Sequence, residues 1–593
     1  MLGGGGGLEA TTTLLCSAIV GTVAAAAGFI ALVQPRQRAL PWDLIVVLTA
    51  VGALAIIQLA SMQWSVLPAA SRTAAVATTA VMLAIWLGWF IRKRAGVAAV
   101  LHAFGIAVAL VLISAIAIRS FHGDASFAFT SRLSDPVMHP NLLGAYAAVA
   151  ITIGFFEALQ IRRVQSLFGW AVVGLGAFVL PLTSSRSAEA IAVIVIIVLI
   201  AWRRMAIAPL LGMLIVIALS AGAGAWWSET RAFHLADFST TSAGVGLALT
   251  SGVCVVIAVV VGELSQRLGY RGQARPADDI APSSRRSRRL LYAEVSIALL
   301  FVSAAVVVFS LRVIAQGRDG AAWLSTAANG AGPQEGIRMS LSANNRDYWW
   351  YVAWKAFEAK PWIGWGAATF RPIEEHFGGR SMPTDSAHSI ALDLLSGVGV
   401  LGFAAFLIVL FAMALRWTRC YSHSRGMQRD VLVVSGLLLG IVGLQSSVEL
   451  TAYASPLVIP IAMLIGGWDA ALTPTAGHEK IRRRLSNACS FATLVIGAIL
   501  VASSLLGALS GLMLASGLPG TSRLSETERN ELAMRADPFS APAAVAVATS
   551  VFAQGDTGTA VVYLRRAIQL DPWNEVWRSL VSEATKKAKS VKP

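Results

Sequence analysis

Charge is what this sequence has least of. Lys, Arg, Asp and Glu make up 13% of its 593 residues, against roughly a quarter in soluble domains. With 56% hydrophobic residues and a mean hydropathy of +0.67, the chain reads as an integral membrane protein. It also lacks ten-residue stretches of alternating polarity, which excludes an outer-membrane barrel. Cysteine is sparse: Cys16, Cys254, Cys420 and Cys489 are scattered and form no CxxC pair, so they supply neither a metal site nor a disulfide framework. There is no Asp-x-Asp, and the adjacent Asp278-Asp279 falls in a basic loop. No internal repeat is visible. The opening MLGGGGGLEA has no cationic residue before the first apolar run, so that run is expected to be a true span rather than a removable leader.

What is present is a succession of apolar runs long enough to cross a bilayer, about 17–25 residues each. Hydropathy places them at 12–33, 43–61, 73–90, 96–118, 141–160, 166–183, 187–202, 205–227, 243–263, 290–313, 389–415, 431–448, 452–470 and 488–516. The expected fold is an all-α, polytopic bundle of about 12–14 spans. The net charge of +15 concentrates in short loops: Arg92-Lys93-Arg94, Arg162-Arg163, Arg203-Arg204, the SRRSRR loop at 264–289, the 416–430 loop, and Lys480 with Arg482–Arg484. All fall on one side of the predicted topology, which the positive-inside rule makes cytoplasmic. The charge is thus read as topology and lipid contact rather than nucleic-acid binding. The 314–388 segment and the C-terminal tail fall on the opposite side. The expected divisions are an N-terminal segment with the first span (1–40), a membrane domain (41–470), a basic loop with the last span (471–516) and a tail (517–593). In the tail two helical patterns meet at Gly555-Asp556 and the second closes on Asp571-Pro572, which resembles a tetratricopeptide repeat.

Four polar features stand out on the non-cytoplasmic side. In SRLSDPVMHPNLLG, His139-Pro140-Asn141 opens a span, and Asn141 is placed to cap it. In LTSSRSAEA, Arg186 sits at an apolar boundary, where an arginine faces a cavity or snorkels to head groups. In NNRDYWWYVAWKAFEAKPWIGWGAATF, Tyr351, Trp354, Phe357 and Glu358 recur at helical spacing, and Pro361 and Gly364 end the helix. There Arg346 either meets a ligand or pairs with Asp347 or Glu358. In SAHSIALDLLSGVGVLG, His388 stands at the mouth of a span, as a base or as a structural hydrogen-bonding group.

Taken together, these motifs resemble the O-antigen ligase/polymerase family over roughly residues 40–470. The residues that carry the likeness are His139, Asn141, Thr183, Ser185, Arg186, Arg346, Trp354, Pro361, Gly364, Gly366, Phe370, His388, Ser389, Gly399 and Gly402. The resemblance implies a membrane glycosyltransferase that takes a glycan from a polyprenyl-pyrophosphate carrier to an acceptor hydroxyl outside the plasma membrane; with no Asp-x-Asp in the sequence, transfer is expected to need no metal, and no cofactor is expected. The acceptor could be a lipid, a glycan or a protein. The leaving group needs fixed positive charge, which arginine supplies bidentately, so Arg186 and Arg346 are the expected pyrophosphate clamp. His388 would orient or deprotonate the acceptor. Arg132, His139, Asn141 and Trp354 would shape the substrate site. The appended tail would engage a protein partner or the acceptor. The competing reading is a transporter of lipid-linked glycans.

Overall fold

The computed structural model describes residues 6–33, 40–92, 96–121, 132–134, 136–137, 139–160, 162–203, 207–230, 242–270, 346–378, 384–449, 455–468, 479–514 and 524–590. The expected span at 290–313, the SRRSRR loop, Asp278-Asp279 and residues 314–345 of the long polar segment lie outside them. The described residues form an all-α chain in two compact units, one of residues 1–90, 310–416 and 472–593, the other of 91–309 and 417–471. Eleven helices among the described residues are long and apolar enough to cross a membrane, which makes this a multi-pass membrane protein.

In the first unit, α1 (Gly6–Val33), α2 (Trp42–Ala60) and α3 (Pro68–Ile91) open the chain. The long α15 (Glu479–Leu514) packs along α1. Small residues let the two backbones close: a Cβ at Gly21 would sit 2.9 Å from the Gly497 carbonyl, and one at Gly28 2.9 Å from that of Ser490. Such seams are the usual way apolar helices associate in lipid. The middle of this unit holds α10 (Arg346–Ala359), α11 (Phe370–Phe377) and the start of α12 (Ile390–His423).

Four further helices end this unit: α16 (Glu526–Ala536), α17 (Ala541–Ala553), α18 (Thr557–Leu570) and α19 (Glu575–Ser590). Local chemistry sets their starts. Ser525 and Glu528 form a reciprocal capping box, Ser540 accepts from the Ala543 N–H, and Asp556 accepts from that of Thr559. The core gathers Ala544, Val545, Ala548, Leu564, Ala567, Trp577 and Ala584. The tail therefore has four helices rather than the two visible in its sequence pattern.

The second unit contains α4 (Val97–Phe121), α5 (Pro140–Ala158), α6 (Arg163–Leu182), α7 (Arg186–Arg203), α8 (Ile207–Glu229), α9 (Ser242–Tyr270), α13 (Gly426–Ser446) and α14 (Ser455–Gly467). Helix α5 is apolar on every face and buried along almost its whole length, as a central helix should be. Two expected spans differ. Helix α7 carries Arg186, Glu189 and Arg203 within 18 residues and is not among the eleven. Helix α14 has 13 residues among the described ones, about 20 Å at 1.5 Å per residue, and residues 450–454 before it lie outside the described residues.

Candidate active site

In the first unit the candidate residues gather around a break in α12. The backbone leaves helical geometry at Gly399, with φ 66° and ψ −165°, a region that essentially only glycine adopts. A broken helix strands carbonyls before the break and N–H groups after it, and buried backbone groups must be paired. The Pro-x-x-Gly-x-Gly tract supplies the partners. Trp365 N–H donates to the Ser396 carbonyl at 3.0 Å and Gly366 N–H to that of Gly397 at 2.7 Å. Val400 N–H donates in turn to the Pro361 carbonyl at 2.8 Å. The approach is close enough that a Cβ on Gly399 would lie 2.4 Å from the Trp362 carbonyl. The two glycine motifs of the sequence are thus two sides of one contact.

The α2–α3 corner holds the other edge of this tract. Ser61 Oγ accepts from Ala367 N–H at 3.1 Å, Ser71 Oγ donates to the Ala367 carbonyl at 3.0 Å, and Val66 N–H donates to that of Trp365 at 3.0 Å. Nothing in the spacing of these serines singles them out in the sequence.

His388 is buried and lies just before α12, with φ +54°. A left-handed conformation is strained for a residue with a Cβ. Asp393, one turn into the helix and 7% exposed, holds it: its carboxylate accepts from Ser386 Oγ at 2.5 Å and from Ala387 N–H at 2.8 Å. Ser386 Oγ accepts in turn from His388 N–H at 2.9 Å. Thr384 Oγ1 lies 3.5 Å from His388 Nε2, at the outer limit of a hydrogen bond. Trp349 stacks on the imidazole, with centroids 4.7 Å apart and planes at 21°.

Trp349 belongs to α10, whose first residue is Arg346. Spacing of i, i+3 puts the two on one face, so the helix face that covers His388 also carries the arginine. The buried residues of α10 are Tyr348, Trp350, Val352, Ala353 and Ala356; the aromatic series at helical spacing, Tyr351, Trp354 and Phe357, whose packing the sequence leaves open, is not among them. Tyr351, Trp354 and Phe357 are half-buried. Trp354 Nε1 donates to Glu358 Oε1 at 2.7 Å, and it is Trp349 that meets the histidine. Burial pushes the Asp347 carboxyl up from its usual range, against the opposing pull of Arg346. Tyr348 OH donates to the buried Glu374 Oε1 at 3.0 Å, tying α10 to α11.

The second unit has its own polar cluster. Pro140 occupies the first turn of α5 and His139 the cap position, without a side-chain capping bond. The expectation that Asn141 caps α5 is therefore corrected: proline suits the first helical position, the helix starts two residues earlier than a cap at Asn141 would place it, and the Asn141 amide is left for tertiary bonds. Its Oδ1 accepts from Arg132 at 2.7 Å and its Nδ2 donates to Glu449 Oε1 at 2.8 Å. Arg132 Nε donates to the Thr183 carbonyl at 2.8 Å, joining the two motifs of this unit. Gln445 Nε2 donates to Ser187 Oγ at 3.1 Å, beside the exposed Arg186 that begins α7. Glu449 and Gln445 carried no signal in the sequence beyond being polar near the end of an apolar run.

Backbone strain marks the same places. Among the described residues three non-glycines have positive φ: Ser184 (48°), Ala368 (54°) and His388 (54°). Each lies in one of the sequence motifs, and strain of this kind concentrates at functional sites.

The broken helix, the clamped histidine and the arginine-bearing helix over it together form the candidate site of a helical membrane protein. Residues 235–407 match the family model for O-antigen ligase, and that segment is similar to this family. The match takes in Arg346, His388 and both glycine motifs. Arg132, His139, Asn141 and Arg186 lie outside it. No curated protein matches the chain.

Proposed function

We propose that this protein transfers a glycan from a polyprenyl-pyrophosphate carrier to an acceptor hydroxyl, with inversion and without a metal ion, on the outer face of the plasma membrane. The observation that carries this reading is His388, held in a strained conformation by Asp393 and covered by the α10 face that bears Arg346. The acceptor oxygen attacks the anomeric carbon as the bond from that carbon to the phosphate oxygen breaks. The acceptor proton passes to the imidazole, and the lipid pyrophosphate leaves with its electron pair. Arg346 offsets the charge that develops on the leaving group, where preorganised cations contribute most.

Arg186 is assigned to the same phosphates by its place in the sequence pattern, and substitution tests it separately. Arg132 and Asn141 are positioning residues for that motif, since both side chains already have protein partners. His139 at the mouth of α5 and Trp354 on α10 remain candidates for substrate contact. The metal-free reading is supported by the lack of an Asp-x-Asp sequence. The four C-terminal helices are read as a tetratricopeptide-like module. The experiment is transfer by purified protein from a polyprenyl-pyrophosphate oligosaccharide to lipid, glycan and peptide acceptors. Wild type should release lipid pyrophosphate and folded Arg346→Ala should not. Movement of intact lipid-linked glycan across a vesicle bilayer, with no pyrophosphate released, would overturn the transferase reading in favour of a transporter.

A further inference from the structure

The C-terminal module is attached to the helices that carry the candidate site at two points, and neither is needed for its own core. The first is the turn between α18 and α19. Asp571 Oδ2 accepts from Asn574 Nδ2 at 3.0 Å and Trp577 Nε1 at 3.2 Å, which braces the turn. Trp573, at its tip, lies flat on His376 of α11, with centroids 4.1 Å apart and planes at 9°. Trp365 is 5.0 Å away and Phe377 meets the ring edge-on at 6.0 Å. Lys360 Nζ stands 3.8 Å over the Trp365 ring. The second attachment is Asp537, which takes both guanidinium nitrogens of Arg72 at 2.6 and 2.5 Å in a mostly buried, bidentate pair. Arg72 adjoins Ser71, which holds the Ala367 carbonyl.

Both attachments therefore bear on residues 365–377. From there the contacts continue inward: α11 carries Glu374, Glu374 takes the hydroxyl of Tyr348, and the α10 face beside Tyr348 carries Trp349 and Arg346. A flexible ornament would not end in a planar stack inside a ring cage, because ordering the groups at such a contact costs entropy that only a fixed geometry returns.

We propose that Trp573 is a positioning residue: seated on His376 and Trp365, it makes the C-terminal module a brace that holds α11, and through it α10, over His388. This rests on the transferase reading above. A brace acts on the reacting geometry more than on ground-state affinity, so its loss should appear in kcat rather than in KM for the lipid-linked donor.

The test uses the full-length protein with Trp573→Ala and Trp573→Phe, read by transfer kinetics and by hydrogen exchange of the α11 amides. Trp573→Ala should lower kcat about tenfold, with donor KM within about twofold, and should speed exchange in α11. Trp573→Phe, which keeps a stacking ring, should restore most of both. Arg72→Gln provides a second route should the alanine variant fail to fold, and should move the same two readouts in the same direction. Faster exchange with unchanged kcat would overturn the positioning role, and unchanged exchange would overturn the docking itself. Equal loss in the alanine and phenylalanine variants would also refute it. Failure of wild type to transfer glycan would instead refute the functional reading, and exchange in α11 would still report whether the module is seated.

Discussion

Replacing Asp393 separates the geometry of His388 from its chemistry. The carboxylate accepts two hydrogen bonds within a buried turn, from Ser386 Oγ and Ala387 N–H. Bonds to an ionised acceptor contribute about 1.5–3 kcal/mol each, and losing the acceptor leaves two buried donors unsatisfied. Against this stands the cost of holding a non-glycine residue at φ +54°, about 1–2 kcal/mol. Asp393→Ala should therefore tip the turn out of its clamped form by about 3 kcal/mol, which at 1.36 kcal/mol per decade is roughly a hundredfold loss of kcat. Asp393→Asn keeps one acceptor oxygen and should lose about tenfold. Donor binding should change little in either, because neither substitution touches an arginine. Steady-state transfer with defined donor, beside donor binding to the same detergent-solubilised protein, makes the measurement. A correctly inserted Asp393→Ala enzyme within threefold of wild type would refute the argument, as would an asparagine variant as impaired as the alanine one.

Gly399→Ala should abolish accumulation of folded protein, since its Cβ would meet the Trp362 carbonyl at 2.4 Å; Gly440→Ala, with nothing near, should be tolerated, as membrane-fraction yield would show. Arg346→Lys should recover only part of what Arg346→Ala loses, because an ammonium cannot grip a pyrophosphate in two places; kcat/KM for the lipid-linked donor reads this. Glu375 and Asp571 each have a carboxyl held above the usual range, first by burial, and Glu375 also by the Asp571 carboxylate and by Glu374, with Arg371 opposing. A raised carboxyl leaves the folded state unpenalised below the ordinary carboxylate range and costs it stability as pH rises through that range to the raised value. Glu375→Gln should thus slow exchange in α11 at neutral pH and leave it unchanged in acid; faster exchange at neutral pH would contradict this. Excess chelator should leave transfer intact, and activity lost to chelation and restored by Mg²⁺ or Mn²⁺ would end the metal-free reading.

Much of the helical layout is legible from hydropathy, because a bilayer demands long apolar helices whatever they pack against. Runs expected at 43–61 and 141–160 appear as Trp42–Ala60 and Pro140–Ala158. The break at Gly399 is not legible, since hydropathy sees an unbroken apolar run from Ile390 onward and carries no backbone information. What the sequence did show was glycine at Gly364, Gly366 and Gly399 without the reason, which is a mutual approach of two segments. Arg346 and His388 could be picked out as charges or titratable groups in greasy surroundings. Trp349 could not be preferred to Trp354, because both lie on the same helix and only packing decides which ring meets the histidine. Asp393 was equally hidden: an acidic residue in the first turn of a helix has an ordinary explanation in the helix dipole. Glu449 and Gln445 meet the α5 and α7 motifs through residues 258 to 308 positions away.

The unit that holds His388 is assembled from three separate stretches of chain, the last of which runs from 472 to the end. Its first helix meets its glycine-seamed partner α15 only after nearly five hundred residues have been made. Arg72 likewise waits 465 residues for Asp537. During synthesis the early helices of this unit must therefore stay in the bilayer with their packing surfaces against lipid, while the second unit, built mostly from the middle of the chain, can pack first. If the final segment braces the site as proposed, a polypeptide released early would be inserted without the contacts that hold α11 and α10 in place.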